Sequence, residues 1–122
     1  MNKTQNPKPY DLGERTKKFA KRIREYVKDL PKILANMEDA KQLIKASGSV
    51  GANYNEAEEA LSRKDFVMRI KISRKEAKES RYWLELIEPK ETQAKETGAL
   101  IQEATELTKI FGSIVEKTKL HG

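Results

Sequence analysis

Residues 62–87 read SRKDFVMRIKISRKEAKESRYWLELI, and this stretch decides the fold. Ser62, followed three residues later by Asp65, has the spacing of a capping box, which satisfies backbone N–H groups at the start of a helix. No proline or glycine follows until Pro89. We therefore predict one uninterrupted helix of about 26 residues, which is roughly 39 Å long at 1.5 Å per residue.

The predicted helix is apolar around more of its circumference than one core requires. One stripe at three- and four-residue spacing consists of Phe66, Ile70, Ser73, Ala77, Ser80, Leu84 and Ile87. Four further apolar residues lie beside it: Met68, Ile72, Trp83 and Leu86. Together they span an arc of roughly 200°, against the ~100° that a helix on a single core needs. The wide arc predicts a second contact surface, and self-association is the simplest way to cover it.

Composition narrows the class of protein. The 122-residue chain has no cysteine, so disulfides, thiolate metal sites and cysteine nucleophiles are excluded, and a reducing cytoplasmic setting suits it. We expect no signal peptide and no contact with a membrane, because no apolar run is long enough to cross one. Charged residues make up 36% of the chain and aromatic residues 7%, which favours an all-α bundle over a β fold.

Three more amphipathic helices are predicted around the central one. The four are expected at about 11–30, 36–61, 63–88 and 97–118, in one domain over residues 10–118 with tails at 1–9 and 119–122. The second helix should begin at Asn36, with Asp39 three residues on, and residues 88–96 read as a polar connection. Four such helices with short connections predict an antiparallel up-down-up-down four-helix bundle.

The inward positions of the other three helices follow from the same spacing. The predicted seams are Leu12, Thr16, Phe19, Ile23, Tyr26 and Leu30 in the first helix; Leu43, Ala46, Val50, Asn53, Ala57 and Ala60 in the second; and Leu100, Ala104, Leu107, Phe111, Ile114 and Thr118 in the fourth. Gly48 and Gly51 lie within the second helix, where small residues would let another backbone come close. Their spacing fits no phosphate-binding signature.

Some polar residues fall where burial is expected. Asn53 lies on a seam, where an amide commonly fixes helix register or association state; the alternative is a ligand-binding role. Arg69 and Glu76 lie within the apolar arc two turns apart, so each needs a partner on another helix or another chain. The nearest candidates in type are Asn53, Tyr54 and Glu56.

The net charge of +6 is concentrated in two segments. Residues 1–34 carry 10 basic and 4 acidic side chains, and residues 62–90 carry 9 and 5. Two basic stripes result: Lys17, Lys21, Arg24 and Lys28 on the first helix, and Lys71, Arg74, Lys78 and Arg81 on the third. The positive charge should therefore give the molecule a charged side rather than a uniform excess. The stripes either capture the phosphates of RNA or DNA or only solvate the fold. Tyr82, beside the second stripe, could stack on a base or pack across an interface.

Enzymatic chemistry is not expected. A di-iron site in a four-helix bundle needs Glu-x-x-His from two helices, whereas the only histidine is His121, one residue from the C-terminus. A Ser-His-Asp arrangement fails for the same reason. We therefore predict no catalytic residue, no metal ligand and no cofactor.

Three segments resemble a known family. They are YDLGERTKKFAKRI, SGSVGANYNEAEEALSRKDFVMRIKISRKEAKESRYWLELI and EATELTKIFGSIV. The most specific pieces are Asn53-x-x-Glu56-Ala57, Lys64-Asp65-Phe66 and Glu76-Ala77-x-Glu79-x-x-Tyr82-Trp83-Leu84. The chain resembles the 23S rRNA-intervening-sequence proteins over roughly residues 10–117.

The resemblance implies a short antiparallel bundle that assembles into a ring, commonly a homopentamer. Accessory proteins of diversity-generating retroelements use the same fold as basic rings that bind nucleic acid and a nucleic-acid-processing partner. No enzymatic activity accompanies the family. Asn53, Glu56, Arg69, Glu76, Tyr82 and Trp83 are accordingly expected to serve folding and assembly. An oligomeric scaffold that binds a protein partner, without touching nucleic acid, is the alternative function.

Overall fold

Four helices make up the part of the chain that the computed structural model describes, residues 11–120. They are α1 (Leu12–Lys28), α2 (Leu34–Glu58), α3 (Arg63–Leu86) and α4 (Ala94–Leu120), with one 3-10 turn at Glu91–Gln93. No strand occurs within those residues. The predicted tail at 1–9 and the last two residues lie outside the described range.

The helices pack in a closed cycle. α1 contacts α2, α2 contacts α3, α3 contacts α4, and α4 returns to α1. Within residues 11–120 the Cα atoms of the diagonal pairs stay more than 8 Å apart, and the rings of Tyr54 in α2 and Phe111 in α4 meet across the core with centroids 6.1 Å apart. Phe19, Ile23, Leu43, Ile70 and Phe111 are each at most 1% exposed and belong to one shared core. A single core joins all four helices.

The predicted seams are largely confirmed. All six residues of the first predicted seam are buried, including Leu30 just beyond the end of α1, as are Ile70, Ser73, Ala77, Ser80 and Leu84 in α3. On the second predicted seam, Asn53 and Ala60, which follows the end of α2, are only partly buried. In α4 the seam moves by one position near its end, because Val115 is buried at 2% exposure where Ile114 was expected.

Two helix starts differ from the predictions. α2 begins at Leu34, because Asn36 does not cap it: the Asn36 side chain is buried and bonds elsewhere, and Ile33 occupies the N-cap position without a side-chain bond. α4 begins at Ala94 rather than at residue 97. Its first turn is held by Gln93, whose Nε2 donates to the Tyr26 carbonyl at 3.1 Å, and by the Thr97 hydroxyl, 2.7 Å from the Tyr26 hydroxyl.

The helix ends differ as well. α1, α2 and α3 end two or three residues before the predicted positions, at Lys28, Glu58 and Leu86. α4 continues through Leu120, so the tail predicted from residue 119 is helical at its first two residues. The predicted start of α3 is confirmed, since the Ser62 hydroxyl accepts from the Asp65 N–H at 3.1 Å.

Gly51 is required where α1 and α2 meet. A Cβ at this position would lie 2.8 Å from Oγ1 of Thr16. That hydroxyl is buried and donates to the Leu12 carbonyl at 2.6 Å, so it cannot move aside. The close backbone approach expected at the glycines of α2 is therefore present, and α1 is the element that approaches.

Candidate nucleic-acid interface

The basic stripe of α1 borders an open groove against α2. Lys17, Lys21, Arg24 and Lys28 are all exposed. The first three line a cavity of about 560 Å³ whose other wall includes Gly48, Gly51, Ala52 and Asn55 of α2. The small side chains of α2 leave the groove shallow and accessible, with the positive charge along one edge.

The four cations of this stripe differ in how far they are neutralised. Lys17 lies 3.7 Å from Glu14, and Lys28 lies 2.8 Å from Glu25, whose hydrogen bond raises the pKa of Lys28. Arg24 donates to the Ala20 carbonyl at 3.1 Å. Among residues 11–120, neither Lys21 nor Arg24 has an acidic group within 4.0 Å. These two central cations carry the least compensated charge of the stripe.

The basic stripe of α3 lies on a different side of the bundle. Lys71, Arg74, Lys78 and Arg81 are exposed, but both arginines turn towards α4. Nε of Arg74 lies 3.5 Å from the position of a Cβ on Gly112, and Nη1 of Arg81 donates to the Thr105 hydroxyl at 3.1 Å. Arg81 also binds Glu85 at 3.2 Å.

The α1 and α3 stripes of a single chain therefore border different grooves. In the cycle of helices, the α1–α2 and α3–α4 grooves are opposite each other. The sequence places the two stripes on their helices correctly, but the relative rotation of α1 and α3 is a property of packing that it does not reveal.

The seam amide finds its partner within the chain. Nη1 of Arg69 donates to Oδ1 of Asn53 at 3.1 Å, while the Asn53 amide nitrogen donates to the Ser49 carbonyl at 3.0 Å and the Ser49 hydroxyl at 2.9 Å. The prediction that Arg69 pairs with a neighbouring helix, with Asn53 among the candidates, is confirmed. Glu56 is exposed on the same helix.

Glu76 is less well satisfied. Its side chain is 17% exposed, and the nearest cation is the Lys75 ammonium at 3.9 Å, on the adjacent residue. Burial, followed by repulsion from Glu79, raises the pKa of Glu76. Attraction from the Lys45 ammonium of α2 partly offsets this rise in the pKa. Within the described residues no cation of another helix lies within 4.0 Å of the carboxylate, so the predicted close cross-helix pair is not formed there.

The two aromatic residues near the end of α3 have different surroundings. Tyr82 is 54% exposed, whereas Trp83 is partly buried and packs against the core. Their rings meet edge to face with centroids 5.0 Å apart. Tyr82 is thus available to a partner, and Trp83 belongs mainly to the fold.

Two polar clusters were missed by the sequence reading. Asn36 is 1% exposed and joins α2 to the end of α3. Arg15 binds Glu103 through two hydrogen bonds of 2.7 and 2.8 Å and Glu106 through one of 2.8 Å, which ties α1 to α4. The hydrogen bond to Glu103 raises the pKa of Arg15. Both sets of partners are more than 50 positions away, so no local pattern marks them.

The described helices contain neither a cluster of metal ligands nor a candidate membrane span. Over residues 11–120, no three histidine or acidic side chains converge in a way that could hold a metal ion. None of the helices described is both long and apolar enough to cross a membrane.

The fold and its charged surfaces define a small all-helical protein with two separate basic stripes. The chain belongs to the 23S rRNA-intervening sequence protein family, whose model matches residues 9–113. This confirms the resemblance carried by the motifs of α2 and α3.

A solved structure agrees with that assignment. A protein of unknown function from the S23 ribosomal protein family of Bacteroides thetaiotaomicron is 32% identical, with a TM-score of 0.70. The alignment covers 85% of this chain and 97% of the other. The comparison with curated proteins gives no match.

Proposed function

We propose that this protein is a non-enzymatic homo-oligomer whose bundles offer a basic surface to RNA or to a nucleic-acid–protein assembly. The observation that carries the proposal is the stripe on α1. Three of its four cations, Lys17, Lys21 and Arg24, line one edge of an open groove, and the two central ones, Lys21 and Arg24, have no acidic group within 4.0 Å in the described chain. Phosphate contacts of this kind supply most of the sequence-independent affinity of nucleic-acid-binding proteins.

The proposal includes an up-down-up-down arrangement of the helices. Contacts between α1 and α4 run in opposite directions along the chain, since Arg15 meets Glu103 and Tyr26 meets Thr97. Those between α2 and α3 do the same, since Val50 meets Ser73 and Asn36 meets Glu88. Antiparallel neighbours at both contacts support this topology.

It also includes self-association, with the homopentameric ring implied by the family as the expected state. Apolar side chains at one end of the bundle support it. Leu34 is 76% exposed, Met37 50% and Leu86 46%, and the bond between Asn36 and Glu88 brings the start of α2 and the end of α3 to the same end. Exposed apolar residues grouped in this way are typical of protein interfaces.

Charge reversal of the two unneutralised cations tests RNA binding. Lys21→Glu with Arg24→Glu should weaken the binding of a folded RNA, measured by fluorescence anisotropy, by at least tenfold. The matched control, Lys41→Glu with Lys95→Glu, makes the same change of charge on exposed sites of α2 and α4. Lys71→Glu with Lys78→Glu tests the opposite stripe.

The outcomes separate the proposal from its alternative. A much larger loss for the α1 pair than for the control supports capture along α1. Equal losses of RNA affinity in the α1 variant and in the control would mean that only the net charge of the protein matters. Absence of wild-type binding even at roughly 50 mM salt, where phosphate contacts are strong, would leave the scaffold function.

The scaffold function is favoured by one specific observation. The outer face of α3 combines lysines with exposed or partly exposed apolar residues, as described below. Phosphate capture does not require such apolar residues, whereas the binding of a protein does. A protein partner on that face would not need RNA.

A further inference from the structure

A large open groove follows the first half of α3. It has a volume of about 1140 Å³ and runs from Ser62 to Lys75, with Thr118 and Lys119 of α4 at one edge. A second cavity of about 470 Å³ shares Arg63 and Thr118 with it. The groove follows about three and a half turns of α3, or roughly 20 Å. That is larger than the 300–1,000 Å³ typical of a small-molecule pocket and suits a polypeptide segment.

The floor of the groove is apolar. Met68 is 46% exposed, and Val67 and Ile72 are partly exposed beside it. These residues are one and four positions apart, so they form a ridge on the surface of α3. A second helix can pack its own apolar side chains along such a ridge. Met68 and Ile72 belong to the predicted 200° arc, and the other helices described leave them partly or largely uncovered.

The rim of the groove is basic. Five basic side chains and one acidic side chain line it: Arg63, Lys64, Lys71, Lys75, Lys119 and Asp65. Lys75 and Lys119 have acidic neighbours, Glu76 at 3.9 Å and Glu116 at 3.3 Å. Within the described residues, Lys64 and Lys71 have none within 4.0 Å.

We infer that this groove is a docking site for an acidic amphipathic helix of a partner protein. The apolar face of such a helix covers Val67, Met68 and Ile72, and its carboxylates meet the lysine rim, in the helix-in-groove mode of recognition. Charge complementarity selects the occupant. The rim carries five basic side chains against one acidic side chain, so it favours an occupant that is acidic along its length over a second copy of this chain, whose net charge is +6. The inference does not depend on RNA capture along α1, since it uses another groove.

A designed peptide tests the inference directly. The probe is a fluorescent helix of about 15 residues, or four turns, with leucines on one face and glutamates elsewhere. We expect it to bind the full-length protein with an affinity that anisotropy can measure. A peptide of the same composition with the leucines scattered around the helix should bind at least about tenfold more weakly, a difference of about 1.4 kcal/mol.

Two variants of the protein place the site. Met68→Glu should weaken the amphipathic peptide at least tenfold, because it puts a charge on the exposed floor. Lys64→Glu should weaken it severalfold and leaves the fold intact, since an acidic residue suits the first turn of a helix. Lys95→Glu, on the exposed face of α4, is the control and should have no effect. Circular dichroism checks each fold, and Lys64→Glu decides the matter if Met68→Glu does not fold.

Four results would overturn the inference. The scattered peptide could bind as tightly as the amphipathic one, which would mean charge attraction alone. The amphipathic peptide could bind all variants alike or fail to bind the wild type. Finally, light scattering could show Met68→Glu dissociating a wild-type oligomer, in which case a second copy of the chain occupies the groove.

Discussion

A single buried amide holds one end of the bundle together. The Asn36 side chain donates to the carbonyls of Pro31 at 3.1 Å and Glu88 at 2.9 Å and accepts from the Glu88 N–H at 2.9 Å. It therefore pairs backbone groups of two connections: the carbonyl of Pro31, between α1 and α2, and the carbonyl and N–H of Glu88, just after α3. Backbone groups left unpaired in such a buried place each cost on the order of 1–3 kcal/mol.

Asn36→Ala should lower the free energy of unfolding by about 2–3 kcal/mol, because alanine has no polar side-chain atom to pair the backbone groups of Pro31 and Glu88. Urea denaturation followed by circular dichroism measures the change. Asn55→Ala, on the exposed side of the same helix, is the matched control and should change stability by about 0.5 kcal/mol at most. Equal effects for the two variants would show that the amide is not a tie.

Glu76 predicts a dependence of stability on pH. Burial raises the pKa of Glu76 in the folded chain, so its favourable contribution is full below the ordinary pKa of glutamate and is lost as the pH rises through the raised value. Glu76→Gln should therefore be more stable than the wild type at pH 7, and the advantage should shrink towards pH 4. Denaturation at both pH values checks this. A less stable Glu76→Gln at pH 7 would mean that the carboxylate has a cationic partner, as it would in an assembly.

Among the helix contacts, that of α1 with α4 includes an ion cluster around Arg15, in addition to the Arg22–Glu96 pair at 3.3 Å and the Tyr26–Thr97 contact. Arg15 bridges Glu103 and Glu106, and its side chain is 28% exposed, against 17% for Glu103. Two parallel hydrogen bonds to one carboxylate give this pair more strength than a surface ion pair.

Arg15→Met should cost about 1–2 kcal/mol, because it leaves the half-buried Glu103 carboxylate without its cation. Lys41→Met breaks the exposed pair with Glu38, at 3.2 Å, and should cost about 0.5 kcal/mol or less. Thermal and urea unfolding of both variants give the comparison. If the two substitutions lower the free energy of unfolding equally, the Arg15 cluster stabilises the fold no more than an exposed ion pair does.

The sequence predicted the helices through their periodicity, and it failed where long-range contacts decide. Phe19 and Ile23 could be assigned to the core because residues three and four positions apart share a face. The start of α4 could not, because Gln93 is fixed by Tyr26, 67 positions earlier. Asn36 was misread for the same reason: an amide near a helix start resembles a cap, and only the folded chain brings Glu88 to it.

At the scale of the molecule, self-association is tested at the end of the bundle where apolar side chains are exposed. Leu86→Glu should lower the mass measured by light scattering at micromolar concentration while helicity stays unchanged, because Leu86 is 46% exposed and an interface there would bury the new charge. Ala99→Glu, on the exposed face of α4, is the control. Trp83→Ala tests the fold instead, because Trp83 packs against the core. A monomeric wild type would contradict the oligomer.

The two basic stripes lie on separate grooves, which limits what a single nucleic acid can contact. One protomer presents its α1 stripe and its α3 stripe on opposite grooves, so a single duplex cannot lie along both. The α1 stripe lies in a groove of small residues and suits a polyanion, whereas the α3 lysines border an apolar floor and suit a protein. The two candidate functions therefore belong to different surfaces of the same bundle.

The salt dependence of RNA binding tests whether RNA phosphates are held by the cations of α1. If the four cations of α1 each neutralise one phosphate, the affinity for a folded RNA should fall with a log–log slope of about −3. Lys21→Gln with Arg24→Gln should weaken binding and reduce that slope to about −1.5, since two contacts are lost. A slope that the double substitution leaves unchanged, or wild-type binding that salt does not affect, would contradict the claim that RNA is held along α1.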